Sequence, residues 1–127
     1  MPAYHVWFAT KRRKWLLQGE VAEATKELMA SVAADKGIDL IECETMIDHV
    51  HLLLCAESGE ELSTAINLLK GVCSRRLFER FPDIRVDAGI ERFWQHRFAS
   101  KAVPEAGMER VRAYIRTQDQ RPEKFDR

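Results

Sequence analysis

At 127 residues, 46% of them hydrophobic, the chain can bury a core of its own and is short for two domains, so residues 1–127 read as a single domain. Its 20 basic and 20 acidic side chains cancel, which taken alone counts against a polyanionic partner. Cys43, Cys55 and Cys73 are odd in number and form no Cys-x-x-Cys pair, which argues against a disulfide framework and a zinc ribbon.

No apolar stretch approaches the roughly 18 residues of a membrane helix, and the N-terminus lacks a basic-then-apolar signal pattern, so a reduced, cytoplasmic, membrane-free setting is expected. The charges are unevenly spread. Residues 1–18 carry four cations and no acid, residues 19–61 two cations against eleven acids, and residues 62–127 fourteen cations against nine acids. Such a chain can offer a basic face to a polyanion while staying neutral overall, although solvated helix faces give the same pattern.

In chain order, Tyr4 to Thr10 ("YHVWFAT") is rich in β-branched and aromatic residues and predicts a first strand, which stops at Lys11, Arg12, Arg13 and Lys14. From Glu20 to Lys36, Val21, Ala24, Leu28 and Val32 recur at three- and four-residue steps before Gly37, which predicts a helix with a glycine stop. Ile38 to Met46 predicts a second strand, and a tight connection at Ile47 and Asp48 turns it into a third, "DHVHLLLC". A long second helix carries Leu62, Ile66, Leu69, Val72 or Cys73, Leu77 and Phe81 at helical spacing up to Pro82, with Lys70, Arg75, Arg76 and Arg80 in its second half. Phe93 to Val103 predicts a fourth strand. Beyond Pro104, Met108, Val111 and Ile115 mark a third helix, followed by a polar tail from Arg121. The order β-α-β-β-α-β plus a terminal helix predicts an α+β, ferredoxin-like split-βαβ antiparallel sheet, with helices on one face and an added C-terminal helix.

The third strand holds the first candidate site. Side chains alternate, so His49, His51, Leu53 and Cys55 share one face and Val50, Leu52 and Leu54 the other, which is core. The two imidazoles stand roughly 7 Å apart at Cα, near enough for one cation, yet a histidine pair without a third ligand is also a common structural feature. Leu53 at the next alternating place argues against a histidine-triad nucleotide hydrolase, and His5 and His96, on other predicted strands, read as structural. On the last helix, Tyr114 and Gln118 are four residues apart on one face, with Arg110 a turn earlier. Two imidazoles, an amide oxygen, a hydroxyl and arginines are together what metal-assisted phosphoryl transfer needs.

"YHVWFATKRRK", "MIDHVHLLL", "LLKGVCSRRLF" and "VRAYIRTQ", in this order and across nearly the whole chain, resemble the single-tyrosine HUH transposases of small bacterial insertion sequences, the TnpA group. The histidine-hydrophobic-histidine motif falls on His49, Val50 and His51, and the family's tyrosine-to-glutamine spacing on Tyr114 and Gln118. Ile47 stands where the family usually has proline, a departure that relaxes a turn and removes no ligand. The resemblance implies a metal-dependent transposase that cleaves single-stranded DNA beside hairpin ends. Mg²⁺ or Mn²⁺ would be held by His49, His51 and Gln118, Tyr114 would become linked to the 5′-phosphate, and the strands would later be rejoined. It further implies a homodimer whose active site can be shared between protomers through the "VPEAG" segment. No nucleotide cofactor is expected, since no Gly-rich phosphate loop ending in Lys-Ser/Thr is present. Lys11, Arg12, Arg13 and Lys14, and on the second helix Lys70, Arg75 and Arg76, are the candidate DNA-backbone contacts. Two rivals stay open: a host-adopted relative that processes hairpins without moving an element, and a non-catalytic nucleic-acid-binding module of the same fold.

Overall fold

The alternation that singles out the histidine strand also organises the sheet. In the structure, a computed structural model in which residues 1–117 are described, β1 (Ala3–Ala9) pairs with β3 (His49–Cys55) on one side and β4 (Ala99–Val103) on the other. β2 (Asp39–Met46) completes the order β2-β3-β1-β4, with every neighbouring pair antiparallel. α1 (Gly19–Lys36) carries the chain from β1 to β2 and leaves a gap that β3 fills from the hairpin; α2 (Gly59–Arg80) then leads towards β4. This is the ferredoxin-like split-βαβ arrangement. Among the described residues, no helix is long and apolar enough to cross a membrane.

Local chemistry sets the helix ends. Gly37 takes φ +71° and returns its N–H to the Ala33 carbonyl, the left-handed stop that glycine makes without strain. Ser58 caps α2 by accepting the Glu61 N–H at 3.1 Å, while the Glu61 carboxylate accepts the Glu57 N–H.

The two sheet faces differ. Val6, Phe8, Val50, Leu52 and Leu54 point into the main core, where they meet Met29 and Val32 of α1 and Ile66, Leu69 and Leu77 of α2. The opposite face carries the histidines and is covered by α4 (Met108–Arg116), whose Ile115 packs with Ala3, Leu53 and Val103. An irregularity between Leu40 and Glu42 leaves Ile41 as an extra residue in β2, a bulge that aims Ile41 and Glu42 towards α4.

Two expectations need correction. The strand predicted from Phe93 begins only at Ala99: Phe93 and Trp94 are buried in the main core, Trp94 makes one isolated bridge to Thr10, and His96 lies outside any strand. A short helix not expected from the sequence, α3 (Asp83–Ala88), follows Pro82 and stops at Gly89, φ +66°.

Candidate active site

β3 carries His49 and His51 on the same face, both almost fully buried, with ring centroids 5.1 Å apart. Each ring is held through Nδ1. His49 Nδ1 lies 2.7 Å from Asp48 Oδ1, and Asp48 in turn accepts from Arg13 Nε at 3.1 Å. His51 Nδ1 lies 2.9 Å from Nε2 of His5 on β1, and those two rings stack at 5.1 Å. When Nδ1 donates to a fixed acceptor, Nε2 is the nitrogen that can act as a metal ligand, and such supporting bonds hold the ring at the required angle.

Electrostatics keep the rings neutral. Burial pushes His51 down to about 3, with His5 and His49 adding to the shift. Burial and then the Lys101 ammonium push His5 down to about 4. His49 is also lowered, mainly by burial, with the Asp48 carboxylate opposing. A neutral imidazole is the ligating form, so the donor set suits a divalent cation at two positions. Among the described residues, no group of three His, Cys, Asp or Glu side chains comes together as a metal site. Gln118, expected as the third ligand, lies outside the described residues, as does the tail from Arg121.

Tyr114 comes to the same place from α4. Its ring centroid is 6.1 Å from that of His51 and 5.9 Å from that of His5, edge-on to both. The helix is seated partly by charge: Glu42 Oε2 accepts from Arg112 Nε at 3.0 Å and from Arg116 Nε at 2.8 Å. Burial alone would raise the Glu42 carboxyl, but hydrogen bonds and charge from the two guanidiniums outweigh it and hold it below the ordinary range. The tyrosine helix thus packs on the sheet of its own chain.

The expected basic residues divide. Lys11, Arg12, Arg13 and Lys14 form a tight turn tied to Asp48, at the histidine end of β3. Arg75 and Arg76 lie on α2, across the sheet from the histidines. Lys70 is a correction: its ammonium is buried and donates to the carbonyls of Gln95 at 2.7 Å, Arg97 at 3.2 Å and His96 at 3.3 Å. Burial lowers it to about 8. A cation so engaged braces the chain entering β4. Missed in the sequence were Asp48, His5 and Glu42. The first directly precedes His49 and could have been suspected; the other two needed the register of β1 and β2 against β3.

Comparison with known proteins adds to this geometry. The family model described as "Transposase IS200 like" matches residues 2–118. Over 115 residues the chain is 32% identical to the ISDra2 transposase TnpA of Deinococcus radiodurans, spanning 91% of this chain and 82% of that protein. It is 31% identical over 91 residues to the transposase for insertion sequence element IS200 of Salmonella typhimurium, spanning 72% of this chain and 60% of that protein. Among solved structures, that of a Deinococcus radiodurans R1 protein assigned as a transposase superposes with a TM-score of 0.74 at 31% identity, covering 93% of this chain and 92% of that one. The REP-associated tyrosine transposase, solved bound to a REP hairpin, shares the fold with a TM-score of 0.65 at 15% identity, covering 98% and 70%.

Proposed function

The chain belongs to the IS200-like transposase family, and from that premise we propose that it cleaves and rejoins single-stranded DNA beside hairpin ends, with Tyr114 as the nucleophile. The observation that carries this reading is the convergence of Tyr114 with His51 on one sheet face of one chain. A REP hairpin bound by a protein of the same fold supports a hairpin as the DNA partner.

The residues have separable roles. Tyr114 Oη attacks the scissile phosphorus; the bond to Oη forms as the bond to the 3′-oxygen breaks, the phenol gives up its proton, and the 3′-oxygen takes one up. His49, His51 and Gln118 would hold Mg²⁺ or Mn²⁺, which when bound supplies Lewis-acid polarisation of the phosphate and stabilises charge on the leaving oxygen. Asp48 and His5 keep the two imidazoles oriented. Because one phosphodiester is exchanged for another, a DNA 3′-hydroxyl can reverse the step and rejoin the strand without a nucleotide cofactor. The cations of residues 11–14, beside Asp48, supply backbone contact on the histidine side of the sheet. The protein acts as a homodimer in which each chain carries its own site.

The test is incubation with single-stranded hairpin DNA from the flanks of the gene, with Mg²⁺ or Mn²⁺, followed by denaturing electrophoresis. A covalent protein–DNA band is expected, and it disappears in Tyr114→Phe, which keeps the ring and loses the oxygen. Binding without any covalent band in the unaltered protein would favour the non-catalytic module. Matched subterminal hairpins in the flanking DNA separate a mobile element from a host-adopted relative.

A further inference from the structure

Trp15 is 69% exposed, second only to Val86 among the exposed large hydrophobic side chains of the described residues, and it directly follows Lys11, Arg12, Arg13 and Lys14. A lone exposed aromatic is unremarkable on a protein surface. Its setting is different here. Arg12 and Arg13 both hold left-handed backbone, φ 56° and 52°, a conformation that non-glycine residues keep only where the surroundings impose it. The restraints are visible: Thr10 Oγ1 donates to the Lys14 carbonyl at 2.7 Å, the Thr10 N–H to the Asp48 carbonyl at 2.9 Å, and the Leu17 N–H to the Ile47 carbonyl at 3.1 Å. The Trp15 carbonyl itself accepts from Gln18 Nε2 at 2.7 Å. An indole is thereby presented to solvent on a tied loop, flanked by cations, with no acid in the first eighteen residues, and anchored to the residues just before His49.

We propose that Trp15 is a stacking platform for an unpaired DNA base on the strand that enters the site, with Arg12 and Lys14 holding the phosphates on either side; this rests on the single-stranded DNA reading above. Flat aromatic rings set among cations bind single strands because every base offers a π-face and every linkage a negative charge. The tied backbone fixes where the ring is presented, so little main-chain freedom is lost on binding.

The test measures affinity for a fluorescently labelled oligothymidylate by anisotropy. Trp15→Ala is expected to weaken binding by roughly tenfold or more, whereas Trp15→Phe keeps affinity within about threefold, because a ring suffices for stacking. Unchanged affinity in Trp15→Ala, or an equal loss in both variants, overturns the proposal, as does a shift of oligomeric state in Trp15→Ala by sedimentation, which would make the indole a protein contact. If the unaltered protein fails to bind the oligonucleotide, the single-stranded DNA reading itself falls. If binding is intact and only the Trp15 effect is missing, that reading survives without the platform.

Discussion

On the face of the sheet covered by α1 and α2, strand residues such as Val6 and Leu52 meet Met29, Ile66, Leu69 and Leu77, all fully buried, in one continuous apolar body. On the other face, four buried residues, Ala3, Leu53, Val103 and Ile115, and one carboxylate shared by two arginines hold a nine-residue helix. β3 belongs to both, with Val50, Leu52 and Leu54 on the first side and the histidines on the second. The lesson is a division of labour within one strand: its core side fixes the position of the imidazoles, while the element bearing the tyrosine is attached by far less. Chemistry that must admit a DNA strand between two groups is served by such an unequal pair of faces.

The largest expected effect is all-or-none. Mixing a His49→Ala, His51→Ala double variant with Tyr114→Phe, under conditions in which dimers re-form, should leave cleavage at background, because Tyr114 packs on its own chain's sheet. Recovery to roughly a quarter of wild-type sites, the value for random pairing with a shared centre, would place α4 across the dimer instead. Next in size, Leu52→Ala should cost about 2–5 kcal/mol of global stability in denaturant unfolding. Ile115→Ala should lower global stability less and should raise amide exchange chiefly across Met108–Arg116; equal global losses would mean the two faces unfold as one.

Smaller again is Glu42→Gln, which removes a partly exposed ion pair worth about 1 kcal/mol or less. A carboxyl held below its ordinary value stabilises the folded state above its unfolded pKa of about 4.3, and that contribution is lost as pH falls through the lowered folded value. Protease protection of α4 should therefore be flat at neutral pH and fall in acid, and Glu42→Gln should remove that acid-linked step. Smallest, Lys14→Gln should reduce the salt dependence of single-strand binding by about 0.7 in log–log slope, and Arg75→Gln, across the sheet, should leave it unchanged.

Much of this was legible from the chain alone where one periodicity governed one segment. The alternation in His49 to Cys55 assigned both faces of β3 correctly, and the apolar steps of Leu62, Ile66, Leu69 and Cys73 placed α2 within a residue or two. The failures share a cause, namely that the deciding contact is distant in sequence. Phe93 to Phe98 has strand-like composition, but Phe93 and Trp94 turn into the core and the following carbonyls are taken by Lys70, so pairing starts late. Lys70 resembled its neighbours Arg75 and Arg76; its place four residues after Ile66 and three before Cys73, on the buried stripe, was the available signal. His5 became a partner of His51 only once β1 was set against β3, and nothing in local pattern specifies that register.

The bulge in β2 has a consequence for how this family can change. In a regular strand adjacent residues face opposite ways, so only the extra residue lets β2 give α4 an apolar contact, Ile41, and an acidic one, Glu42, side by side. Seating of the tyrosine helix is thus written in the length of a strand as much as in its letters. Loss of the Ile41 codon would straighten β2 and remove its apolar contact with α4, leave Glu42 opposite Leu53 on that face, and leave the main core largely as it was. Insertion and deletion at this one place, without any change to histidine or tyrosine, can therefore tighten or release the helix that carries the nucleophile.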